Sequence, residues 1–447
     1  MTVEEKIEQI KSTNNVTKIV DILNNIGSIP KGTDMSYIIT LISNQHDNIR
    51  ACAVKSLAKA KDRTYIDILY NLYKIDSSTN VKRECVSAIG RLRDRSTINI
   101  LFETLDDKDP KIVCQAIRGL LVFKGDRIVD DKLKSMITHD NETIQDVIKK
   151  EYYSENKKQQ REINHIQTPQ YIHNVAVNGD NIATMKCLPD NLVHLTFTSP
   201  PYYNARDYSI YSSYEAYLDF LEDVFREVMR ITKEGRFLIV NTSPVIVPRI
   251  SRAHSSKRYP IPFDLHNRLT KLGWTFIDDI IWMKPEYSVK NRIGGFMQHR
   301  KPLGYKPNAI TEYLMVYRKP TNKLLDWNIH QYPDQTVEES KVYGEFETSN
   351  VWQINPKSDK IHSAVFPVEL CKRVIDYYSF KGDLVFDPFG GSGTLGRTAI
   401  KMDRYFFLTE KEERYFDYMK SLFTDDFLIQ EKPQFMKLEE FKQTIKL

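Results

Sequence analysis

Two short stretches carry residue types able to do chemistry. The first is Thr198-Ser199-Pro200-Pro201-Tyr202, which closes an apolar run read as a strand over 192–198. Adjacent prolines fix φ and stiffen the turn, and Pro201 leaves the Pro200 carbonyl without a ladder partner on that side. A serine oxygen and a carbonyl held rigidly together form two acceptors, the complement of an NH₂ group. Tyr202 adds a flat face on which a ring can stack. The plainer reading is a proline turn closing a surface loop, with Ser199 as a cap.

The second stretch is Asp387-Pro388-Phe389-Gly390-Gly391-Ser392-Gly393-Thr394, between the apolar run Leu384-Val385-Phe386 and a helical pattern. Glycines at a strand-to-helix turn let the backbone approach a ligand closely. Gly391, Gly393 and Gly396 satisfy a dinucleotide fingerprint, and Glu410 ends the next apolar run 17 residues after Gly393, where a carboxylate suits ribose hydroxyls. A nicotinamide-dependent oxidoreductase is therefore one candidate. Position weighs against it: only 54 residues follow Gly393, too few for a dinucleotide-binding sheet. The other strands must come from upstream, so the order is circularly permuted. Pro388 and Phe389 also suit a nucleoside with an amino-acid tail better than a pyrophosphate.

These stretches need elements to hold them. From Val175 onward, strand-like runs (192–198, 237–241, 276–283, 313–317, 384–387) alternate with helical ones (214–231, 262–272, 367–378, 393–401). Such alternation predicts an α/β sheet with mostly parallel strands. The first ~165 residues differ. Ile49, Val81 and Ile112 lie 32 and 31 residues apart, and from each the apolar residues recur at +4, +8 and +11, a helical stripe. Second amphipathic stretches follow at 65–69 and 98–102, and a fainter fourth unit starts near Ile144. Two helices per ~31 residues predict an α-solenoid; an irregular helical bundle is the alternative. The start Asp109-Pro110-Lys111-Ile112 resembles HEAT-like repeats. We therefore expect a HEAT-like helical domain over 1–165, with 151–168 running from its last helix into a linker, and an α/β domain over 166–447.

Taken together, Thr198–Tyr202, the following Asn204-Ala205-Arg206-Asp207-Tyr208 and Asp387–Thr394 resemble the S-adenosylmethionine-dependent DNA amino-methyltransferases. The catalytic motif precedes the cofactor loop, as in the β group, and the resemblance spans roughly 172–425. It implies a Rossmann-like methyltransferase domain with permuted motif order. Ser199, Pro200, Pro201 and Tyr202 would be catalytic. Asp180, Thr198, Phe366, Pro367, Asp387, Phe389, Gly391, Ser392, Gly393, Thr394 and Glu410 would bind S-adenosylmethionine. Asp180, at the end of Val177-Asn178-Gly179-Asp180, matches the acid that contacts adenine, and Phe366-Pro367 the segment around the methionine end. Residues 280–285 and 312–317 match the two strands beyond the catalytic one. The chain departs from the family at Leu408-Thr409-Glu410, where glycine is frequent two residues before the acid, and Thr409 brings a side chain near the ribose. Ser-Pro-Pro-Tyr leans towards N4 of cytosine in flipped-out duplex DNA, with N6 of adenine as the alternative. Carbon-5 methylation would need a cysteine nucleophile, and none of the five cysteines has a Pro-Cys setting.

Charge fits the same partner. The net charge of +5 is mild, but between Val245 and Lys306 twelve basic residues face four acidic ones. Arg252, Lys257, Arg258, Lys284, Lys290, Arg292, Arg300 and Lys301 are candidate phosphate contacts, in recognition insertions around 245–260 and 285–350. The solenoid offers a surface for a protein partner or a further DNA contact. The non-enzyme alternative is a repeat scaffold carrying a degenerate methyltransferase fold. Hydrophobic residues make up 41% and charged residues 28% of the 447, ordinary for a globular chain. No apolar run reaches membrane-spanning length, and no signal-peptide pattern opens the sequence. Unpaired cysteine spacing and the lack of metal-ligand histidine spacing predict a reducing cytoplasm, no disulfide and no metal. A restriction-modification setting follows from the resemblance.

Overall fold

The computed structural model describes residues 2–30, 32–153, 163–203, 211–247, 251, 253, 256–289, 302–303, 307–357, 359, 361, 365–426 and 432–445. Contacts divide the chain into two units, 1–156 and 157–447, and the break falls inside the polar stretch read as a linker.

In the first unit the three periodic stripes are the helices Asp47–Ala60, Thr79–Arg91 and Pro110–Leu120. Each anchor and its +4 and +8 partners are buried, from Ile49, Ala53 and Leu57 to Ile112, Ala116 and Leu120. Partner helices follow at Ile66–Ile75, Ile98–Thr104 and Arg127–Ser135, the last one unread in the sequence, and Glu142–Ile148 begins the faint fourth unit. Pro110 stands at the helix start, where a missing N–H costs nothing, and Asp109 caps it by accepting the Lys111 N–H at 2.9 Å. Asp62, Asp94 and Asp126, 32 residues apart, each accept a backbone N–H two residues on and so set the entry of every second helix. Between successive repeats of this first unit, Arg50 forks onto Asp76 at 2.7 and 2.8 Å.

Among the described residues, the second unit is built on a nine-stranded sheet. Its strands are β1 (Val175–Asn178), β2 (Val193–Thr198), β3 (Thr232–Thr242), β6 (Thr275–Met283), β7 (Thr311–Arg318), β8 (Val351–Gln353), β9 (Leu384–Asp387), β10 (Tyr405–Glu410) and β11 (Gln434–Lys437); β4 (Val245–Val247) and β5 (Lys257–Tyr259) form a separate hairpin. The order is β11-β1-β10-β9-β2-β3-β7-β6-β8. From β11 to β3 all pairings are parallel; β7 runs antiparallel to β3 and β6. All six residues of β2 and all four of β9 are buried, as expected of strands covered on both faces. From β2 the chain proceeds to β3 on one side, and from β9 to β10 on the other. The junction of β2 and β9 is therefore the topological switch point, where open α/β sheets form their clefts.

The segment 319–350 is not an outlying insertion. Trp327, Asn328, Gln331 and Tyr332 are buried. The Tyr332 hydroxyl donates to Asp383 at 2.5 Å, and Arg236 pairs with the same carboxylate. Asp383 precedes β9, so this part of the segment closes the sheet edge opposite the carboxyl ends.

Helices Thr79–Arg91 and Pro110–Leu120 touch through two glycines: a Cβ on Gly90 would lie 2.8 Å from the Gly119 Cα. Alanine favours a helix interior over glycine by about 1 kcal/mol. Backbone cannot rotate aside, however, and overpacking costs about 1–3 kcal/mol. Gly90→Ala should therefore lower the denaturation midpoint of the first unit, and an unchanged or raised midpoint would show that the helices can part freely.

Candidate functional site

The carboxyl ends of β2 and β9 meet in a cavity of ≈ 640 Å³. Thr198 is buried at the end of β2 and its hydroxyl donates to Asp387 Oδ1 at 2.6 Å; the Phe389 N–H donates to the same oxygen at 2.9 Å. Burial, with the Glu410 charge adding, raises the Asp387 carboxyl to about 7, although the Thr198 and Phe389 bonds pull it down.

The turn after β9 is held from below. Thr409 Oγ1 and Asn181 Nδ2 both donate to the Pro388 carbonyl, at 2.8 and 3.1 Å, and the Gly390 N–H donates to the Thr409 carbonyl at 2.8 Å. The Thr409 side chain, expected near the ribose, is thus spent on loop anchoring. Gly391 and Gly393 have φ of 54° and 69°. A Cβ on Gly393 would stand 2.6 Å from Met419 Cγ and 2.8 Å from Phe423 Cε2, so glycine is required twice over, by conformation and by space. Glu410, at the end of β10, accepts N–H bonds from Gly391 and Glu412, both at 2.8 Å, and burial raises its carboxyl above the ordinary range. Asp180 follows β1 and accepts the Ala183 N–H at 3.0 Å.

Across the cavity stand Ser199, Pro200, Pro201 and Tyr202. Among the described residues nothing donates to the Pro200 carbonyl. The Tyr202 hydroxyl donates to Glu312 Oε2 at 2.9 Å. Burial, then the Glu312 charge, pushes the Tyr202 phenol well above its ordinary value, so it stays neutral. Phe366 lies over Phe197 with ring centroids 4.4 Å apart.

The cavity brings together Asp180, Ser199, Pro200, Pro201, Tyr202, Phe366, Asp387, Phe389, Gly391, Ser392, Thr394 and Glu410. Thr198, Pro367 and Gly393 do not line it. Of the candidate phosphate contacts, Lys257 and Arg258 are exposed on the β4–β5 hairpin. That hairpin is anchored by Tyr259 against Tyr203 and Tyr214, at 4.8 and 4.6 Å. Lys284 is not on an outer loop: it lines the cavity and is ion-paired with Glu312. Arg252, Lys290, Arg292, Arg300 and Lys301 lie outside the described residues, as do 204–208. The sequence reading missed Glu312, Asn241, Asn181 and Trp282 as cavity residues. An acid at 312 directly beside the apolar run 313–317 is the available signal. Among the described residues no cluster of histidine, cysteine and acid could hold a metal, and no helix is long and apolar enough to cross a membrane.

A family profile described as DNA methylase, of the N6/N4 type, matches residues 193–421, and a HEAT repeat profile matches 66–149. The Type II methyltransferase M.Cfr9I of Citrobacter freundii is 30% identical over 272 residues, 54% of this chain and 84% of that protein. The Type II beta methyltransferase M.BslI of Bacillus sp. (strain NEB-606) is 27% identical over 239 residues; the match takes in 51% of this chain and only 25% of that protein. TTHA0409 of Thermus thermophilus, solved in complex with S-adenosyl-L-methionine, aligns over 60% of this chain and 98% of its own, at 27% identity and a TM-score of 0.47.

Asp387 has a consequence for stability. Its folded carboxyl keeps its proton up to about 7, whereas an unfolded one ionises near 3.9. The group's contribution is therefore full below the unfolded value and is lost as pH rises towards about 7, a loss on the order of 4 kcal/mol. Asp387→Asn keeps the shape and the acceptor. It should raise the melting temperature of the ligand-free protein more at pH 8 than at pH 5; an advantage that does not grow with pH would contradict the burial of this charge.

Proposed function

The chain belongs to the N6/N4-type DNA methylase family, and from that premise we propose that it transfers a methyl group from S-adenosylmethionine to the exocyclic N4 amine of a cytosine in duplex DNA. The observation that carries the reading is the convergence of Ser199–Tyr202 and the Asp387–Thr394 loop on one cavity, in a chain order with the catalytic strand first. Ser199 at the first position of the motif favours cytosine over adenine.

The residues fit the methyl donor. The positive-φ turn at Gly391 and Gly393 forms a cradle that a Cβ would fill, Glu410 and Asp180 present carboxylates at the ends of β10 and β1, and Phe366 offers an apolar face. Glu410 would receive the ribose hydroxyls, Asp180 the adenine amine, and Asp387 would face the methionine end. When bound, S-adenosylmethionine supplies a methyl group on a sulfonium, which already has a good leaving group.

The work left to the protein is alignment. An exocyclic amine is a poor nucleophile because its lone pair is delocalised into the ring. Ser199 Oγ and the Pro200 carbonyl would accept its two hydrogens, draw the nitrogen towards tetrahedral geometry and free that pair. Because the amine gains positive charge during transfer, both acceptors stabilise the transition state more than the ground state. Orientation of this kind contributes roughly 7–11 kcal/mol in well-aligned intramolecular reactions. The surplus proton leaves to water. A stacked base cannot reach the cavity, so the nucleotide must swing out, at a few kcal/mol. Stacking on Tyr202 returns about 1–3 kcal/mol of that. Lys257 and Arg258 would hold backbone phosphate.

Incubation with unmethylated genomic DNA and labelled S-adenosylmethionine, followed by digestion and nucleoside mass spectrometry, should yield N4-methylcytosine. N6-methyladenine would reverse the base assignment, and 5-methylcytosine would overturn the chemistry of the site.

A further inference from the structure

Glu312 and Lys284 form an ion pair in the cavity wall, with side chains only 16% and 17% exposed. Taking two charges out of water is costly, and apolar replacements of similar size are often as stable. Fold stability alone is thus a weak reason for the pair. Its geometry supplies another. The ladder of β6 and β7 sets Trp282 opposite Glu312, so the acid is fixed by register. Its two oxygens are divided: Oε1 takes Lys284 and Oε2 takes the Tyr202 hydroxyl. Lys284 is itself confined, its Nζ 4.5 Å above the Trp282 ring, and the Trp282 Nε1–H is tied to the Ile354 carbonyl at 2.8 Å.

We propose, resting on the methyl-transfer reading above, that Glu312 is a positioning residue for the extruded base, acting through Tyr202, with Lys284 holding Glu312 in place. The prolines fix the backbone of the turn but not the direction of the Tyr202 side chain. A tyrosine hydroxyl lies on the long axis of its ring. A bond to it fixes where the ring points and leaves its flat face to the cavity. Lys284 occupies the second carboxylate oxygen, which would otherwise compete for the base amine or for water. This gives Lys284 a role inside the site in place of the phosphate contact expected from its charge.

The test is single-turnover methyl transfer at saturating DNA and cofactor, with cofactor affinity and DNA half-saturation measured alongside, for the wild type, Glu312→Gln, Glu312→Ala, Tyr202→Phe, Lys284→Ala and the double variant Glu312→Ala/Tyr202→Phe. Glu312→Ala should slow transfer about tenfold or more while cofactor affinity and DNA half-saturation stay within about twofold. Glu312→Gln, which keeps an acceptor, should recover most of the rate. The double variant should be no slower than the slower single one, because both changes remove the same bond. Lys284→Ala should lower the rate without altering the salt dependence of DNA binding. Multiplying losses in the double variant, an unchanged rate in Glu312→Ala, or a parallel loss of cofactor affinity would each overturn the assignment. A wild-type protein that methylates no DNA would overturn the methyl-transfer reading and this role together; an active wild type with an indifferent Glu312 would overturn this role alone.

Discussion

One buried hydrogen bond, from the Thr198 hydroxyl to Asp387, joins two stretches 189 residues apart in sequence. On one side of it begins the Ser-Pro-Pro-Tyr turn; on the other, the glycine turn. The bond exists only because β2 and β9 are neighbours in parallel register, Leu195 beside Val385 and Thr196 beside Phe386. That adjacency in turn needs both strands to be covered on both faces. The helices supply this, with Val374 and Leu395 in one apolar layer and Leu221 and Phe225 in the other. The bulk of the second unit is thus the means of bringing two turns within reach of each other.

The charges around the cavity follow from the same arrangement. Carboxyl ends of parallel strands gather acids, and burial holds both Asp387 and Glu410 above the ordinary range. Glu412 and Gly391 give Glu410 two backbone N–H groups, and Lys284 gives Glu312 a counter-charge. The opposite edge of the sheet shows another solution: Asp383, fully buried, is met by Arg236, the Tyr332 hydroxyl and the Phe380 N–H. One edge is closed with matched polar groups; the other keeps Ser199 and the Pro200 carbonyl at an open wall. That contrast suits a site whose partners arrive with a ligand.

Sequence periodicity made much of this visible. The stripes beginning at Ile49, Val81 and Ile112 show in the sequence because a solenoid helix buries one face at a fixed spacing. The runs ending at Thr198 and Asp387 show because doubly covered strands are nearly continuous apolar runs. Direction was the hidden quantity. Lys284 counted as a surface charge because a sum over a segment does not record where a side chain points, and only the pairing of Trp282 with Glu312 turns it inward. Glu312 hid for the same reason, inside a strand of otherwise ordinary core character. The segment around Trp327 and Tyr332 reads as an insertion because its burial depends on Arg236 in β3 and Asp383 just before β9, both distant in sequence. Thr409 looked like an intrusion upon the ribose, and the Pro388 carbonyl that claims its hydroxyl lies 21 residues away.

The most direct measurement of the central claim is made on Thr198→Val, which keeps the shape and removes the hydroxyl. Above about pH 7, where Asp387 is ionised, a hydrogen bond to its carboxylate contributes about 1.5–3 kcal/mol, and this one spans both halves of the site. S-adenosylmethionine affinity and the single-turnover methyl-transfer rate should therefore fall together, each by about tenfold or more. If one falls and the other stays at the wild-type value, the two turns are held independently, and the account of a site organised about the β2–β9 junction is wrong.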